Sequence, residues 1–352
     1  MNKKEALFGK LFLSDIEEIS RLIGEDLAGL KSKRILFFGG TGFIGTWLTT
    51  SLLYLNNVRE LDIRIDIVTR SKTMAKNKFR ELDRCNKLNL IEIDLKKYQS
   101  NKFGEYDIFI NGATSSTLRS GGNDLYSVGS SSYFASKLIE DSARRFLNLP
   151  KIVNLSSGSV YEKSRSINSA LSEQNILSLK GETAYDNAKL ITEQYLKNLE
   201  SENLIEVLNL RLFAFYGPLL ELNEHFAIGN FMRDAMLGRG IVIRGSKFTK
   251  RSYLYPTDLM IAIIKFINNK TSGNFNLGGE NPLTMAEVAG FISKTWQSQQ
   301  IIYAPEDQVH PNYYWPNVLK AKLELGSLES VTFLEGLRRW KLWLSKVHNV
   351  SE

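Results

Sequence analysis

The sequence predicts an α/β fold: a doubly wound parallel sheet followed by a smaller, partly interleaved α/β C-terminal lobe. Three observations predict it. Six short apolar runs alternate with helical segments between residues 34 and 212, the pattern of strands covered on both faces. A glycine-rich turn joins the first run to the first helix, where such sheets bind ligands. After Tyr216-Gly217-Pro218 the regular alternation fades, which marks a second lobe.

Residues 1–33 precede the first strand and form an N-terminal helical extension. Ser14 and Glu17 have the spacing of a capping box. Ile16, Ile19, Ile23, Leu27 and Leu30 then recur at intervals of three and four, giving one apolar helical face. That face must bury itself on the main domain or on a second subunit.

RILFF (34–38) is the first strand, and a helix runs from the glycine turn to about Leu55. IDIVT (65–69), LIEID (90–94) and YDIFIN (106–111) are the next three strands. A helix at about 125–147 leads to KIVNLSS (151–157), and a helix at about 182–200 leads to IEVLNLRL (205–212). Right-handed crossovers between parallel strands make this a Rossmann-type domain over 34–217. Residues 218–352 form most of the second lobe. It has helices near 226–237, 257–268 and 284–295, a strand at 241–245 and a closing Trp-rich helix at 333–346.

The composition narrows the function classes. The chain has 352 residues, 43% hydrophobic and 24% charged, as in water-soluble globular proteins. No run reaches the ~18 apolar residues of a membrane span, so no membrane partner is expected. Cys85 is the one cysteine, and the histidines are His225, His310 and His348, too few for a disulfide framework or a Cys-based zinc site. The lone cysteine and the missing signal-peptide pattern suit the cytoplasm. A net charge of +7 comes from Lys and Arg spread along the chain. No basic tail suggests a nucleic-acid partner; some of the excess suits an anionic small ligand.

Three motifs carry the chemistry. Gly39-Gly40-Thr41-Gly42-Phe43-Ile44-Gly45 reads G-x-x-G-x-x-G between a strand and a helix. Gly39 suits the tight turn, Gly42 close approach to a pyrophosphate, and Gly45 tight helix–strand packing. The second strand ends in Arg70-Ser71-Lys72 with no acid. An acid there would bind a ribose 2′-hydroxyl, whereas these residues suit a 2′-phosphate; this favours NADP(H), with NAD(H) the alternative. Asp94-Leu95 either brackets the adenine or leaves Asp94 as a solvent-facing cap. Third, Tyr185-Asp186-Asn187-Ala188-Lys189 reads Y-x-x-x-K, which puts phenol and ammonium on one helical face. The ammonium is expected to lower the phenol's pKa, and Tyr185 then exchanges a proton with substrate. Ser157, at the end of the fifth strand, can bond the same oxygen.

The glycine loop, LSSGSVYE, YDNAK and LRLFAFYGP together resemble the extended short-chain dehydrogenase/reductase superfamily, in particular its nucleotide-sugar epimerase/dehydratase/reductase group. The resemblance spans about residues 34–330. It implies that Ser157, Tyr185 and Lys189 are the catalytic set. It implies that Asn111-Gly112-Ala113-Thr114 adjoins the nicotinamide ribose, with Thr114 at the substrate side. His225-Phe226-Ala227 falls where the family's loop meets a sugar-nucleotide diphosphate, Ile243-Arg244-Gly245 where a strand lines the base. Arg251 matches an arginine that pairs with a diphosphate oxygen; an ion pair with Asp258 is the alternative. Expected substrate contacts are thus Thr114, Ser159, His225, Phe226, Arg244 and Arg251, and the partner is a nucleotide-diphosphate sugar.

Departures from the family's patterns sharpen the expectation. Dehydratases of the group carry an acid directly after the catalytic Ser/Thr, and decarboxylating members use a nearby glutamate; here Gly158-Ser159 stands instead. Epimerase/reductases of the fucose-synthase type place a cysteine where Ser159 lies. Ala214 and Tyr126 replace familiar asparagines. The expected activity is hydride transfer to C4 of a nucleotide-linked 4-keto-hexose, with 4-epimerisation through retained NAD as the alternative and a non-catalytic dinucleotide sensor as the third. The group commonly pairs through its two long helices. Phe134, Leu138, Ile139 and Leu196 are expected to build a homodimer there.

Overall fold

The computed structural model describes residues 9–79, 87–95, 103–113, 125–146, 148–161, 168–175, 183–222, 226–297, 299–303 and 310–348. The chain opens with helix α1 (Lys10–Leu22) and a 3-10 turn at Ala28–Leu30. The main domain follows as β1 (Arg34–Phe38), α2 (Phe43–Val58), β2 (Arg64–Thr69), α3 (Lys72–Phe79), β3 (Leu88–Glu92), β4 (Ile108–Asn111), α4 (Leu125–Ala143), β5 (Lys151–Ser157), α5 (Ala184–Ser201) and β6 (Glu206–Leu212). The C-terminal region adds α6 (Ala227–Met236), β7 (Ile241–Ile243), β8 (Lys250–Arg251), α7 (Pro256–Asn268), β9 (Gly273–Leu277), β10 (Leu283–Thr284), α8 (Met285–Thr295), β11 (Ile301–Tyr303), β12 (Tyr313–Tyr314), α9 (Leu319–Leu325) and α10 (Phe333–His348).

Seven parallel strands form the central sheet in the order β3-β2-β1-β4-β5-β6-β9. The order reverses between β1 and β4, which opens a crevice at the strands' carboxyl ends. Alternate side chains of β1 feed two cores. Ile35 and Phe37 join the cluster that includes α1, α2 and α7, while Leu36 and Phe38 join the one under α4 and α5. Strand β9 was not expected from the sequence. GNFNL is short and half polar, and Asn274 accepts a bond from Asn209 at 2.9 Å, so its place rests on pairing with β6. The second lobe adds two small sheets, β10-β8-β12 and β11-β7.

Several boundaries differ from expectation. Helix α1 starts at Lys10, not after Ser14, whose Oγ donates to the Leu11 carbonyl at 2.8 Å inside the helix. Phe12, packed 4.5 Å from the Trp47 ring, draws the start five residues earlier. The helix ends before Gly24, whose φ of +93° is the left-handed value glycine adopts easily. Leu27 and Leu30 are buried as the periodicity implied, but at the two ends of the 3-10 turn rather than on the helix. This segment docks on its own chain, against α2, α7 and α10. Strand β3 starts two residues earlier than its apolar run suggested, and β4 two residues later.

The residues expected to build a dimer contact need correcting too. Leu138, Ile139 and Leu196 are 1%, 0% and 0% exposed, because α4 and α5 turn them inward onto the sheet. Among the described side chains, the exposed large apolar ones on these helices are Tyr133 and Ile191, 46% and 43% exposed. No helix among the described residues is long and apolar enough to cross a membrane.

Candidate active site

The crevice is floored by the glycine loop. Gly39 has φ +88°, and a Cβ there would come within 2.5 Å of the Gly112 carbonyl. A Cβ on Gly45 would come within 2.2 Å of the Gly39 carbonyl. Both glycines are therefore forced by backbone contact. Gly42 is exposed and caps α2 without a side-chain bond, and the first turn of α2 holds no acid. The helix's positive end is thus open to an anion. Beside the loop, Asn111 is buried with its Oδ1 unpaired among the described residues, and Gly112 N–H bonds the Phe38 carbonyl at 2.8 Å. Phe43 stacks on Phe215 at 5.3 Å, Ile44 packs on the core, and Thr41 and Ala113 border the same loops. An open helix end, enforced glycines and an orphaned amide oxygen fit a dinucleotide.

Arg70 is exposed where β2 ends; residues 70–72 hold no acid, but the Glu92 carboxylate of the adjacent β3 reaches this connection. Asp94 and Leu95 are half-buried just past β3. The cap on α3 comes from Glu92, whose carboxylate accepts the Lys72 N–H at 2.8 Å, so Asp94 is not that cap.

The reactive cluster forms where β5 meets α5. Thr183 and Asp186 exchange side-chain-to-backbone bonds in a capping box, which fixes the first turn of α5 and Tyr185 within it. The Tyr185 phenol lies near the Ser157 hydroxyl, whose Oγ accepts the Ser159 N–H at 3.2 Å. Lys189, 5% exposed, donates to the Leu155 carbonyl at 2.7 Å, with its Nζ 5.7 Å from the Tyr185 ring centre. Burial pulls the ammonium down to about 8, opposed by Glu193. The expected lowering of the phenol is not met in this arrangement: burial pushes Tyr185 up, and the Ser157 hydroxyl opposes it only in part.

One turn beyond Lys189, Glu193 forms a two-point ion pair with Arg211, at 3.0 and 2.7 Å, the side chains 3% and 1% exposed. Ser156 donates to the same carboxylate. Arg211 also reaches Tyr161 Oη at 2.9 Å, which bonds Asn276 of β9 at 2.7 Å. This network ties β5, α5, β6 and β9 beneath the reactive cluster. Glu193 was legible in the sequence as the third member of an i, i+4, i+8 face with Tyr185 and Lys189.

Tyr314 is the site residue that sequence reasoning missed. Its phenol also lies near Ser157, it packs 4.7 Å from Phe213, and Arg251 lies 5.3 Å above its ring. Burial pushes this phenol up as well. Nothing local marks it, because a two-residue strand in the second lobe brings it in. Arg251 donates to the Lys250 and Asn312 carbonyls at 2.8 and 3.0 Å. It is not paired with Asp258, which instead accepts the Ser330 and Val331 N–H groups, each at 3.0 Å.

Gly158 and Ser159 form a 3-10 turn with Ser157 as its cap. A Cβ on Gly158 would lie 2.5 Å from the Phe213 ring, which Tyr161 and Tyr314 hold from either side. The Ser159 Oγ is buried and unpaired among the described residues. Phe226 is 43% exposed at the start of α6, and Arg244 is exposed just past β7. Thr114 and His225 lie outside the described residues.

A family model described as "NAD dependent epimerase/dehydratase family" matches residues 35–278. Among curated proteins, UDP-glucuronic acid decarboxylase 1 of Danio rerio is 29% identical over 163 residues, 46% of this chain and 39% of that protein. UDP-glucuronic acid decarboxylase 3 of Arabidopsis thaliana is 26% identical over 159 residues, 44% and 46%. The aligned region thus spans less than half the length of these relatives. The solved UDP-glucuronic acid 4-epimerase from Bacillus cereus, in complex with UDP-glucuronic acid and NAD, superposes with a TM-score of 0.75 at 20% identity, covering 89% of this chain and 99% of that one. UDP-N-acetylglucosamine 4-epimerase from Methanobrevibacter ruminantium M1, in complex with UDP-N-acetylmuramic acid, gives 0.74 at 22% identity, covering 89% and 98%. At these identities the structural likeness speaks for the fold.

Proposed function

The chain belongs to the NAD-dependent epimerase/dehydratase family, and on that premise we propose that it transfers hydride at C4 of a nucleotide-diphosphate hexose, in the direction of ketone reduction. The observation that carries this reading is the convergence of Ser157, Tyr185 and Lys189 beside Gly158. Dehydration needs an acid there, and a side chain at Gly158 would have to displace the Phe213 ring.

When bound, a nicotinamide dinucleotide supplies the hydride. Residues 39–45 hold its pyrophosphate, Arg70 a ribose 2′-phosphate, Asp94 and Leu95 the adenine side, and Asn111, Gly112 and Ala113 the nicotinamide side. Tyr185 passes its phenolic proton to the carbonyl oxygen at C4, and Ser157 Oγ holds that oxygen in line. Lys189, anchored on the Leu155 carbonyl, keeps its remaining donors for the nicotinamide ribose. Arg251 takes a diphosphate oxygen of the substrate. Arg70, exposed in a β2–α3 turn whose residues 70–72 include no acid, favours NADP(H).

The second reading is 4-epimerisation with retained NAD. It draws on the 4-epimerases that share the fold and needs the same three catalytic residues. Purified protein, offered a nucleotide 4-keto-hexose with NADPH or NADH, separates the two. Oxidation of added NADPH with formation of the 4-hydroxy sugar supports reduction. A tightly held NAD that does not exchange, with interconversion of C4 epimers, replaces it with epimerisation. Tyr185→Phe should lower turnover by ~10²–10⁴-fold with dinucleotide affinity retained. Unchanged turnover would refute the catalytic assignment. We also propose that the protein is a homodimer joined through α4 and α5.

A further inference from the structure

Among the described residues, buried Lys189 and half-buried Lys78 and Lys151 are tethered to backbone carbonyls. Each is pulled down to about 8 by burial: Lys78, Lys151 and Lys189. Their partners differ. Lys151 meets the carbonyls of Phe266, Ile267 and Asn269 and closes the C-terminal end of α7, where helix carbonyls lack partners. Its three donors are accounted for, and its role is structural. Lys189 has one carbonyl, Leu155, and faces the reactive cluster. Lys78 is like Lys189: its Nζ bonds one carbonyl, that of Thr41, at 2.8 Å.

Thr41 lies in the middle of the glycine loop, so the Lys78 ammonium sits on the loop itself. No carboxylate pairs with Lys78 among the described residues, unlike Lys33, Lys87, Lys137 and Lys322, which each pair with an acid. An ammonium has three donors, and desolvating it without a counter-charge is costly. The open positive end of α2 adjoins the same loop, and Arg70 stands at the start of the same β2–α3 connection. The Glu92 carboxylate at this connection accepts the Lys72 N–H, so no described carboxylate is left to meet the Lys78 ammonium.

We propose that Lys78 is a phosphate-binding residue of the dinucleotide site. It keeps its bond to Thr41 and turns its remaining donors to a phosphate on the adenosine side, either a ribose 2′-phosphate or the pyrophosphate. The proposal rests on the reading of the glycine loop as a dinucleotide site.

Calorimetric titration of the parent, Lys78→Met and Lys78→Arg with NADP⁺, NAD⁺ and adenosine tests it. Lys78→Met should bind phosphate-bearing ligand at least tenfold more weakly, the range of a lost charge-assisted hydrogen bond. Lys78→Arg should recover most of the loss, and adenosine affinity should stay at the parent value. A loss confined to NADP⁺ assigns the 2′-phosphate; an equal loss for both dinucleotides assigns the pyrophosphate. Dinucleotide affinities within twofold of the parent overturn the proposal. So does an equal loss for adenosine, which would mean that Lys78 only shapes the loop. A parent that binds neither dinucleotide overturns the underlying reading as well.

Discussion

At the scale of single residues, chemistry here is decided by what a side chain is not allowed to be. Gly158 is the clearest case. The Phe213 ring occupies the space of its Cβ at 2.5 Å and is itself only 3% exposed. Gly158→Asp should therefore destabilise the protein by about 1–3 kcal/mol, as overpacking does, and should create no dehydratase activity. Denaturant unfolding and product analysis check the two halves. Phe213→Leu in the same chain should recover part of the stability. An unchanged unfolding midpoint in Gly158→Asp would show that the ring yields freely. The sequence displayed the glycine and its missing acid; the reason for the glycine, a phenylalanine from the end of β6, is a contact over 55 residues of chain.

At the scale of elements, α1 illustrates how a periodic apolar face acquires a partner. Its face is filled by Phe12, Ile16 and Ile19, and its one buried carboxylate, Asp15, accepts bonds from Tyr255 at 2.8 Å and Arg339 at 2.9 Å. Burial nonetheless pushes Asp15 up to about 6. The folded protein thus binds this proton more tightly than the unfolded chain does. The stabilisation is complete below about pH 4 and is lost as pH rises through about 6. Relative to Asp15→Asn, the parent should lose up to about 3 kcal/mol of unfolding free energy between about pH 4 and pH 7. Parallel urea titrations of the two proteins across that range check it. Identical pH profiles would mean that Arg339 holds the carboxylate charged throughout. Periodicity in the sequence announced the helix. Its start was misread because Ser14-x-x-Glu17 imitates a cap, whereas the ring contact of Phe12 with Trp47, far away in sequence, extends the helix past it.

At the scale of the whole molecule, the sheet binds the two lobes into one. Strand β9 comes from the C-terminal region yet completes the central sheet, and the family match ends at residue 278, just beyond it. On the opposite side, α4 and α5 present Tyr133 and Ile191 outward. The proposed homodimer predicts a mass twice that of the chain by light scattering at micromolar concentration. Tyr133→Glu with Ile191→Glu should return it to a monomer, because a two-fold contact places each charge twice in one interface. A parent that is monomeric at that concentration would remove the proposal.

The sequence by itself determined the parallel sheet, the glycine loop, and the Ser157, Tyr185 and Lys189 set. Those features are written in local periodicity, in residues that only a tight turn accepts, and in one helical face. Only the tertiary structure decided that Tyr314 comes beside Ser157, that Lys78 rests on Thr41, and that Asn276 closes the network under Arg211. It alone turned Leu138 and Leu196 inward. Each of these depends on contacts between segments distant in the chain. Such contacts leave no periodic trace in the residues that make them, because their partners are set by sheet order and lobe docking rather than by spacing.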